Sequence, residues 1–402
     1  MKNKVVILGS GFSSRLCLAR SLGQLGYEVS LIVVEQIHSK PIDCYSKYVK
    51  HYYYTQSNDD EDKIIKILLE NCKDEKQKVI LIPTNDLSAS VLDKNLHLLE
   101  PYFLFPNIHH QQGIITAWMN KEKQKKLAQE LDLNVANSIN VKIVNRTYEI
   151  PKNVNYPCFC KTREYIPGYK YTLRRCDNDE QLRSFLDDLS QKFENLTLMV
   201  EDFKIIEKEY AVVGFSDGNE VVIPGVIEIA AMAKGSDNGV ALQGKVVPRS
   251  SYENLLKIFE AFVRKIGFVG LFDIDFYRSE GLYFFGELNL RIGGSGFAII
   301  KSGINLPEML VRNLMGKSLE GMKKEITTQS TYTNERICIE NWYAGFLTHR
   351  EFFSIFRCRG ISALSCKQDR HPEFIFWMKA IKKLFLPRKK GIESYIEKKS
   401  NR

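Results

Sequence analysis

Two short segments hold residue types suited to metal and phosphate chemistry: Phe272-Asp-Ile-Asp-Phe-Tyr277 and Glu287-Leu-Asn-Leu-Arg291. Successive side chains on a strand point to opposite faces. Asp273, Asp275 and Tyr277 then share one side, as do Glu287, Asn289 and Arg291, while Leu288 and Leu290 point the other way. If the two strands are neighbours, carboxylates and an amide oxygen converge on one polar patch beside an apolar layer. Such oxygen donors suit Mg²⁺, which takes one or two carboxylates together with substrate phosphates and water. Arg291 beside them can hold a phosphoryl or acyl-phosphate oxygen. The competing reading is a solvated face of an antiparallel sheet, where charges are common.

The elements that must position these residues are legible in part. Lys4–Leu8 reads as a buried parallel strand, followed by Gly9-Ser-Gly11 and a helical pattern through Leu16, Leu18, Ala19, Leu22 and Leu25. Tyr27–Val34 and Val79–Ile82 are further strands, with Ile64–Leu69 and Ala89–Leu99 helical. This alternation predicts a doubly wound sheet over residues 1–115. Asn120 can cap a helix from Lys121 to Leu131. From Tyr156 the pattern turns mainly to strands: Pro157–Lys161, Tyr169–Arg174, Leu198–Phe203, Glu209–Gly214 and Glu220–Glu228. A helix over Ser251–Ile266, closed by Gly267, precedes the strands Gly270–Tyr277 and Leu282–Arg291 and a helix at Leu306–Met315. After Ser318 the sequence is harder to divide.

Composition sets the frame. At 402 residues the chain exceeds what one core usually holds, and its 44% apolar and 26% charged residues are ordinary for globular proteins. No run approaches the ~18 apolar residues of a membrane-spanning helix, and the start does not read as a secretory signal. Nine cysteines without a Cys-x-x-Cys pair fit a reducing cytoplasm, with Cys158 and Cys160 as small buried side chains of one strand. The net charge is +9, but Lys379 to Arg402 holds nine basic residues against Glu393 and Glu397, a net of +7. The remainder is nearly neutral, which argues against a global nucleic-acid surface. The tail reads either as a docked helix with solvated charges or as an amphipathic anchor on anionic lipid.

Glu287-x-Asn289-x-Arg291 followed by Gly293-Gly-Ser-Gly296, with Asp275 twelve positions upstream of Glu287, resembles the metal-binding strand of the ATP-grasp ligases, in the branch of biotin carboxylase and carbamoyl-phosphate synthetase. The resemblance spans about residues 1–320 and its other parts fall in the family's order. It implies a Rossmann-like domain over 1–115, an ATP-grasp domain of two α+β subdomains clamping ATP over 116–320, and a C-terminal region over 321–402. By the same resemblance Asp275, Glu287 and Asn289 hold Mg²⁺, normally two ions and replaceable by Mn²⁺, with Asp273 in reserve. Arg291 stabilises phosphate or intermediate, and Lys121 and Lys161 touch the ATP phosphates. Met199-Val-Glu201-Asp-Phe203-Lys204 resembles the hinge that binds adenine, and Glu209 stands where the ribose carboxylate does.

The implied reaction joins a carboxylate, an amino acid or small acid, to an amine through an acyl phosphate, releasing ADP and phosphate. Arg291 and a basic residue within Gly244–Arg249 are the expected carboxylate holders. The rival readings are a nucleotide-binding protein with little or no turnover and a ligase working at a membrane surface. Expected partners are small molecules, not nucleic acid, with homo-oligomerisation left open and the location cytoplasmic, including the inner membrane face if the tail anchors. Departures are visible too. The phosphate flap Lys161–Gly168 carries a single glycine, with Arg163 or Lys170 as substitutes for backbone donors. A dinucleotide fingerprint would need glycine at Ser14, although Glu35 does end the second strand. Adjacent His109 and His110 point apart and make a poor metal pair.

Overall fold

The computed structural model describes residues 3–35, 37, 39–55, 61–163, 174–233, 240–357 and 360–384, without the side chains of 382–384. Residues divide into two compact units: the first comprises 1–116, 210–274 and 289–402, the second 117–209 and 275–288.

In the first unit a five-stranded parallel sheet runs in the order Val49–Tyr54, Glu28–Val33, Lys4–Gly9, Val79–Pro83, Phe103–Leu104. Its central strand is almost wholly buried, Val5 pairing with Val29 on one side and Ile80 on the other. Continuous apolar strands of this kind are covered on both faces, here by the helix Phe12–Gln24 on one side and Asp86–Lys94 on the other. The strand order reverses between Lys4–Gly9 and Val79–Pro83, so Gly9 and the run Thr84-Asn85-Asp86 meet at the carboxyl ends of the strands where α/β sheets bind ligands. Asn85 caps the second helix through a capping box with Ser88. The rest of this unit is a mainly antiparallel sheet built on Lys208–Asp217, Gly225–Met232, Ala241–Pro248 and Ser330–Thr333, backed by the helix Glu253–Ile266. That helix buries Leu256, Phe259, Phe262, Val263 and Ile266 on one stripe and ends at Gly267, whose φ of +71° is left-handed. A Cβ at Gly267 would lie 2.3 Å from the His109 ring, so both conformation and space require glycine.

The second unit carries an antiparallel sheet ordered Arg174–Cys176, Cys158–Thr162, Leu196–Asp202, Ser138–Val144, Thr147–Tyr148. The helix Asp179–Lys192 packs Leu182, Phe185, Leu186 and Leu189 on it. Cys158 and Cys160 are buried side chains of one strand face, and Cys176 joins them, the three sulfurs lying within 4.8 Å of one another.

Several sequence expectations shift. The helix Asp179–Lys192 interrupts the region read as strands; its signal was present as an Asn178 cap and a Leu-x-x-Phe-Leu spacing. The expected strand Glu220–Glu228 is two pieces, Val221–Val222 and Gly225–Met232, because Pro224 cannot donate to the ladder. Ile64–Leu69 begins earlier and closes in a wider π turn, Leu68–Cys72. The expected strand Tyr169–Arg174 lies mostly outside the described residues; the strand there is Arg174–Cys176. Beyond Ser318, helices cover Glu335–Tyr343, His349–Arg357 and His371–Leu384. No helix among the described residues is long and apolar enough to cross a membrane.

Phe262 is fully buried at the centre of its helix face. Phe262→Ala is expected to cost about 3–5 kcal/mol through lost transfer energy and a cavity, read as a lowered midpoint in urea denaturation.

Candidate active site

The strand Phe268–Ser279 keeps Phe272, Ile274 and Phe276 in the core, which turns Asp273, Asp275 and Tyr277 to its other face. It is followed by the strand Leu282–Asn289, its neighbour in the sheet. Within the second unit, Gly286 lies directly across from Asp275: a Cβ there would stand 2.8 Å from the Asp275 carbonyl oxygen. Asp275 and the next residue along, Glu287, are thereby held on adjacent strands, both partly accessible.

Lys121 approaches Glu287, Nζ to Oε2 3.8 Å, and a residue with no signal in the residue order joins its helix to the strand. Gln124, one turn along the helix Lys121–Glu130, is 2% exposed and grips Leu288 from both sides: its Nε2 donates to the Leu288 carbonyl and its Oε1 accepts from the Leu288 amide, both 2.9 Å. Helix and strand are thus locked in one register. Asn120 caps the helix, its Oδ1 accepting from the Lys123 amide. The Lys121 amide donates to the Arg163 carbonyl.

A second group of charges lies on the sheet of the same unit. Lys161 reaches Glu201 at 2.8 Å, and Lys125 also pairs with Glu201 while donating to the Ala136 carbonyl at 2.8 Å. Burial holds the Lys125 ammonium below its ordinary value, against the pull of Glu201. Two lysines and one carboxylate leave a net positive charge in a poorly solvated place, which favours an anion. Lys125 reads from sequence as one more solvent-facing lysine in Lys-Glu-Lys-Gln-Lys-Lys; only packing reveals it.

Nearby, Tyr277 and Phe284 stack with ring centroids 5.5 Å apart and planes 8° from parallel. The Tyr277 hydroxyl is pushed up to about 12 by burial and then by Glu201. Lys204 pairs with Glu280 at 3.4 Å and stands over the Phe284 ring at 5.4 Å. Phe203 lies under the Arg175 guanidinium. The amides of Asp202 and Phe203 are taken by the carbonyls of Asn137 and Pro157. Burial raises the Glu209 carboxyl above its ordinary value.

In the first unit, Arg291 Nε donates to Asp86 Oδ1 and its Nη2 to Asn289 Oδ1, both 3.0 Å. Asp86 opens the helix after the ligand-binding end of the parallel sheet, so the arginine is fixed from both the turn and the strand. Gly293 presses on Asp273: a Cβ would fall 1.5 Å from Asp273 Oδ2, so no side chain fits over that carboxylate. Ser14 Oγ donates to the Gly293 carbonyl at 3.1 Å. Arg249, one of the two basic residues of Gly244–Arg249, is instead committed to Glu253 and Glu260 at 3.0 Å each, and Lys245 is exposed. Glu35 accepts from Arg15. Flap residues 164–168 and Lys170 lie outside the described residues.

No protein-family model matches the chain. It is 23% identical over 218 residues to the carbamoyl phosphate synthase large chain of Gemmatimonas aurantiaca, covering 53% of this chain and 20% of that one. It therefore spans about a fifth of that relative's length. Biotin carboxylase of Campylobacter jejuni, in complex with β-γ-ATP, superposes with a TM-score of 0.62 at 16% identity over 83% of this chain and 75% of the other. An L-amino acid ligase of Bacillus licheniformis does so with 0.61 at 15% identity, over 83% and 80%. The fold is that of the ATP-grasp ligases.

Gln124→Met keeps the volume but leaves the buried Leu288 amide and carbonyl without their partners. The expected cost is about 1–3 kcal/mol for each group left unsatisfied, measured as a lower chemical denaturation midpoint.

Proposed function

We propose that the protein is an ATP-dependent, ADP-forming ligase that joins a carboxylate to an amine through an acyl phosphate. The observation that carries the reading is the paired strands holding Asp275 and Glu287, both accessible oxygen donors, in the unit that gathers Lys121, Lys125 and Lys161. In this reading Asp275 and Glu287 hold Mg²⁺, with Asn289, two residues along the same strand, as a third donor. The donor set fits: it is all oxygen and includes a Glu287 carboxylate 38% exposed whose cation neighbour Lys121 stays at 3.8 Å. A bound Mg²⁺ pair, or Mn²⁺, would neutralise charge on the transferring phosphoryl group.

Lys161 and Lys125 would exchange part of their hold on Glu201 for the ATP phosphates, and Lys121 would meet the same anion from the helix start. The segment Glu201–Lys204 would line the adenine; with the Asp202 and Phe203 amides already spent, the backbone from Lys204 onward is the available edge. Glu209 would accept from the ribose. Arg291, oriented by Asp86 and Asn289, would hold the substrate carboxylate and then the acyl phosphate.

The chemistry has two steps. A carboxylate oxygen attacks the γ-phosphorus and ADP leaves. An amine nitrogen then attacks the acyl carbon, phosphate leaves, and the amine loses a proton. Positioning and charge neutralisation dominate the first step. Support by likeness comes from a carbamoyl phosphate synthase chain and an L-amino acid ligase, the latter suggesting an amino acid as the carboxylate.

Phosphate release from Mg·ATP, assayed across pairs of amino acids and small acids with amines, is expected only with a particular pair. Glu287→Gln is expected to lower kcat at least ~100-fold, the scale of losing one group that stabilises developing charge. AMP and pyrophosphate as products would overturn the acyl-phosphate route.

A membrane-surface setting is favoured by one observation. On the helix His371–Leu384, Phe374, Met378 and Ile381 are 61%, 47% and 46% exposed at i, i+4 and i+7 spacing, and the basic tail follows in sequence. Flotation with vesicles containing anionic lipid is expected to carry the protein at low salt and to fail after Phe374→Ser with Met378→Ser.

A further inference from the structure

Three of the chain's nine cysteines meet in the second unit. Cys158 and Cys160 stand two residues apart on the strand Cys158–Thr162, so their side chains share a face. Cys176 ends the neighbouring strand Arg174–Cys176 directly opposite Cys158, and opposed residues of an antiparallel pair project to that same face. All three carry free thiols and are at most 1% exposed, with their sulfurs within 4.8 Å of one another. Leu182, Phe185 and Leu186 of the helix Asp179–Lys192 belong to the same apolar cluster.

This arrangement suits one kind of ion. A metal–sulfur bond of about 2.3 Å in a trigonal plane sets the sulfurs about 4.0 Å apart, inside the observed limit. Thiolate sulfur is a soft donor and selects soft ions, among them monovalent copper. Among the described residues no histidine, aspartate or glutamate joins the three sulfurs. Structural zinc takes four protein ligands, and calcium and magnesium take oxygen. A water as a fourth ligand would need polar partners of its own, which the apolar surroundings do not offer. Copper(I) on two thiolates and one thiol carries one net negative charge. The Arg174 guanidinium, across from Cys160 in the sheet, acts on the Cys176 sulfur with the opposite sign. A way in exists as well: Arg174–Cys176 is a three-residue strand at the edge of its sheet, and opening so short a ladder uncovers the sulfurs.

We propose that Cys158, Cys160 and Cys176 form a binding site for one copper(I) ion. Two thiols give up their protons to solvent as the ion binds, and its oxidation state does not change. The ion ties the edge strand to the strand that carries Lys161, whose side chain points to the opposite face from its neighbour Cys160. The proposal stands apart from the ligase reading: a protein without turnover would still hold the ion.

The test titrates the reduced full chain, without oxygen, with copper(I) held by the coloured chelator bathocuproine disulfonate. One copper(I) per chain is expected to pass from the chelator to the protein, with three sulfur neighbours by X-ray absorption. The thermal midpoint is expected to rise with copper(I), because the ion binds the folded state. Cys176→Ala is expected to weaken binding at least ~100-fold, more than the loss of an outer-shell partner costs. Cys366→Ala, outside the cluster, is expected to leave it unchanged. Cys158→Ala serves where Cys176→Ala fails to fold, and if neither folds the sulfur count decides. No transfer of copper, a neighbour count other than three sulfurs, zinc held more tightly than copper(I), or unchanged affinity in a folded ligand variant overturns the proposal.

Discussion

Burial of Phe272, Ile274 and Phe276 on one side of a single strand is the constraint on which the candidate site rests. Because side chains alternate, committing these three to the core commits Asp273, Asp275 and Tyr277 to the opposite face. On the neighbouring strand Leu288 is buried while Glu287 stays partly accessible. A slip of one residue would turn Asp275 inward and Phe272, Ile274 and Phe276 outward, at a cost in both buried polarity and lost apolar burial. Register and site are therefore one property of these strands.

The charges around them are balanced rather than paired off. Glu201 is shared by Lys125 and Lys161, and Arg291 divides its donors between Asp86 and Asn289. Such groups are held in place in the resting protein yet keep capacity for another anion, which a one-to-one buried ion pair would lack. Arg249, with Glu253 and Glu260 around it, is a counter-example: its donors are used within its own unit, anchoring the start of a helix.

Much of this was legible from residue order. The β-turn-α-β opening, the helix before Gly267 and the alternating Asp/Glu/Asn/Arg strands follow from periodicity and from glycine and asparagine punctuation. Less visible were groups that matter through distance. Gln124 and Lys125 look like solvent-facing positions of a charged helix, and Asp86 like a helix-start acid. The helix Asp179–Lys192 was overlooked although its cap and spacing were present, because strands flank it on both sides.

The amino-acid sequence by itself determined the local periods, the caps, the face each strand buries and hence which side chains could act together, since those depend only on neighbours along the chain. Tertiary structure alone decided that Gln124 clasps Leu288, that Lys125 joins Lys161 on Glu201, and that Cys176 completes a cluster of thiols. Those contacts join residues from 16 (Cys160 and Cys176) to 164 (Gln124 and Leu288) positions apart, and their strength comes from exclusion of water, which no local pattern encodes.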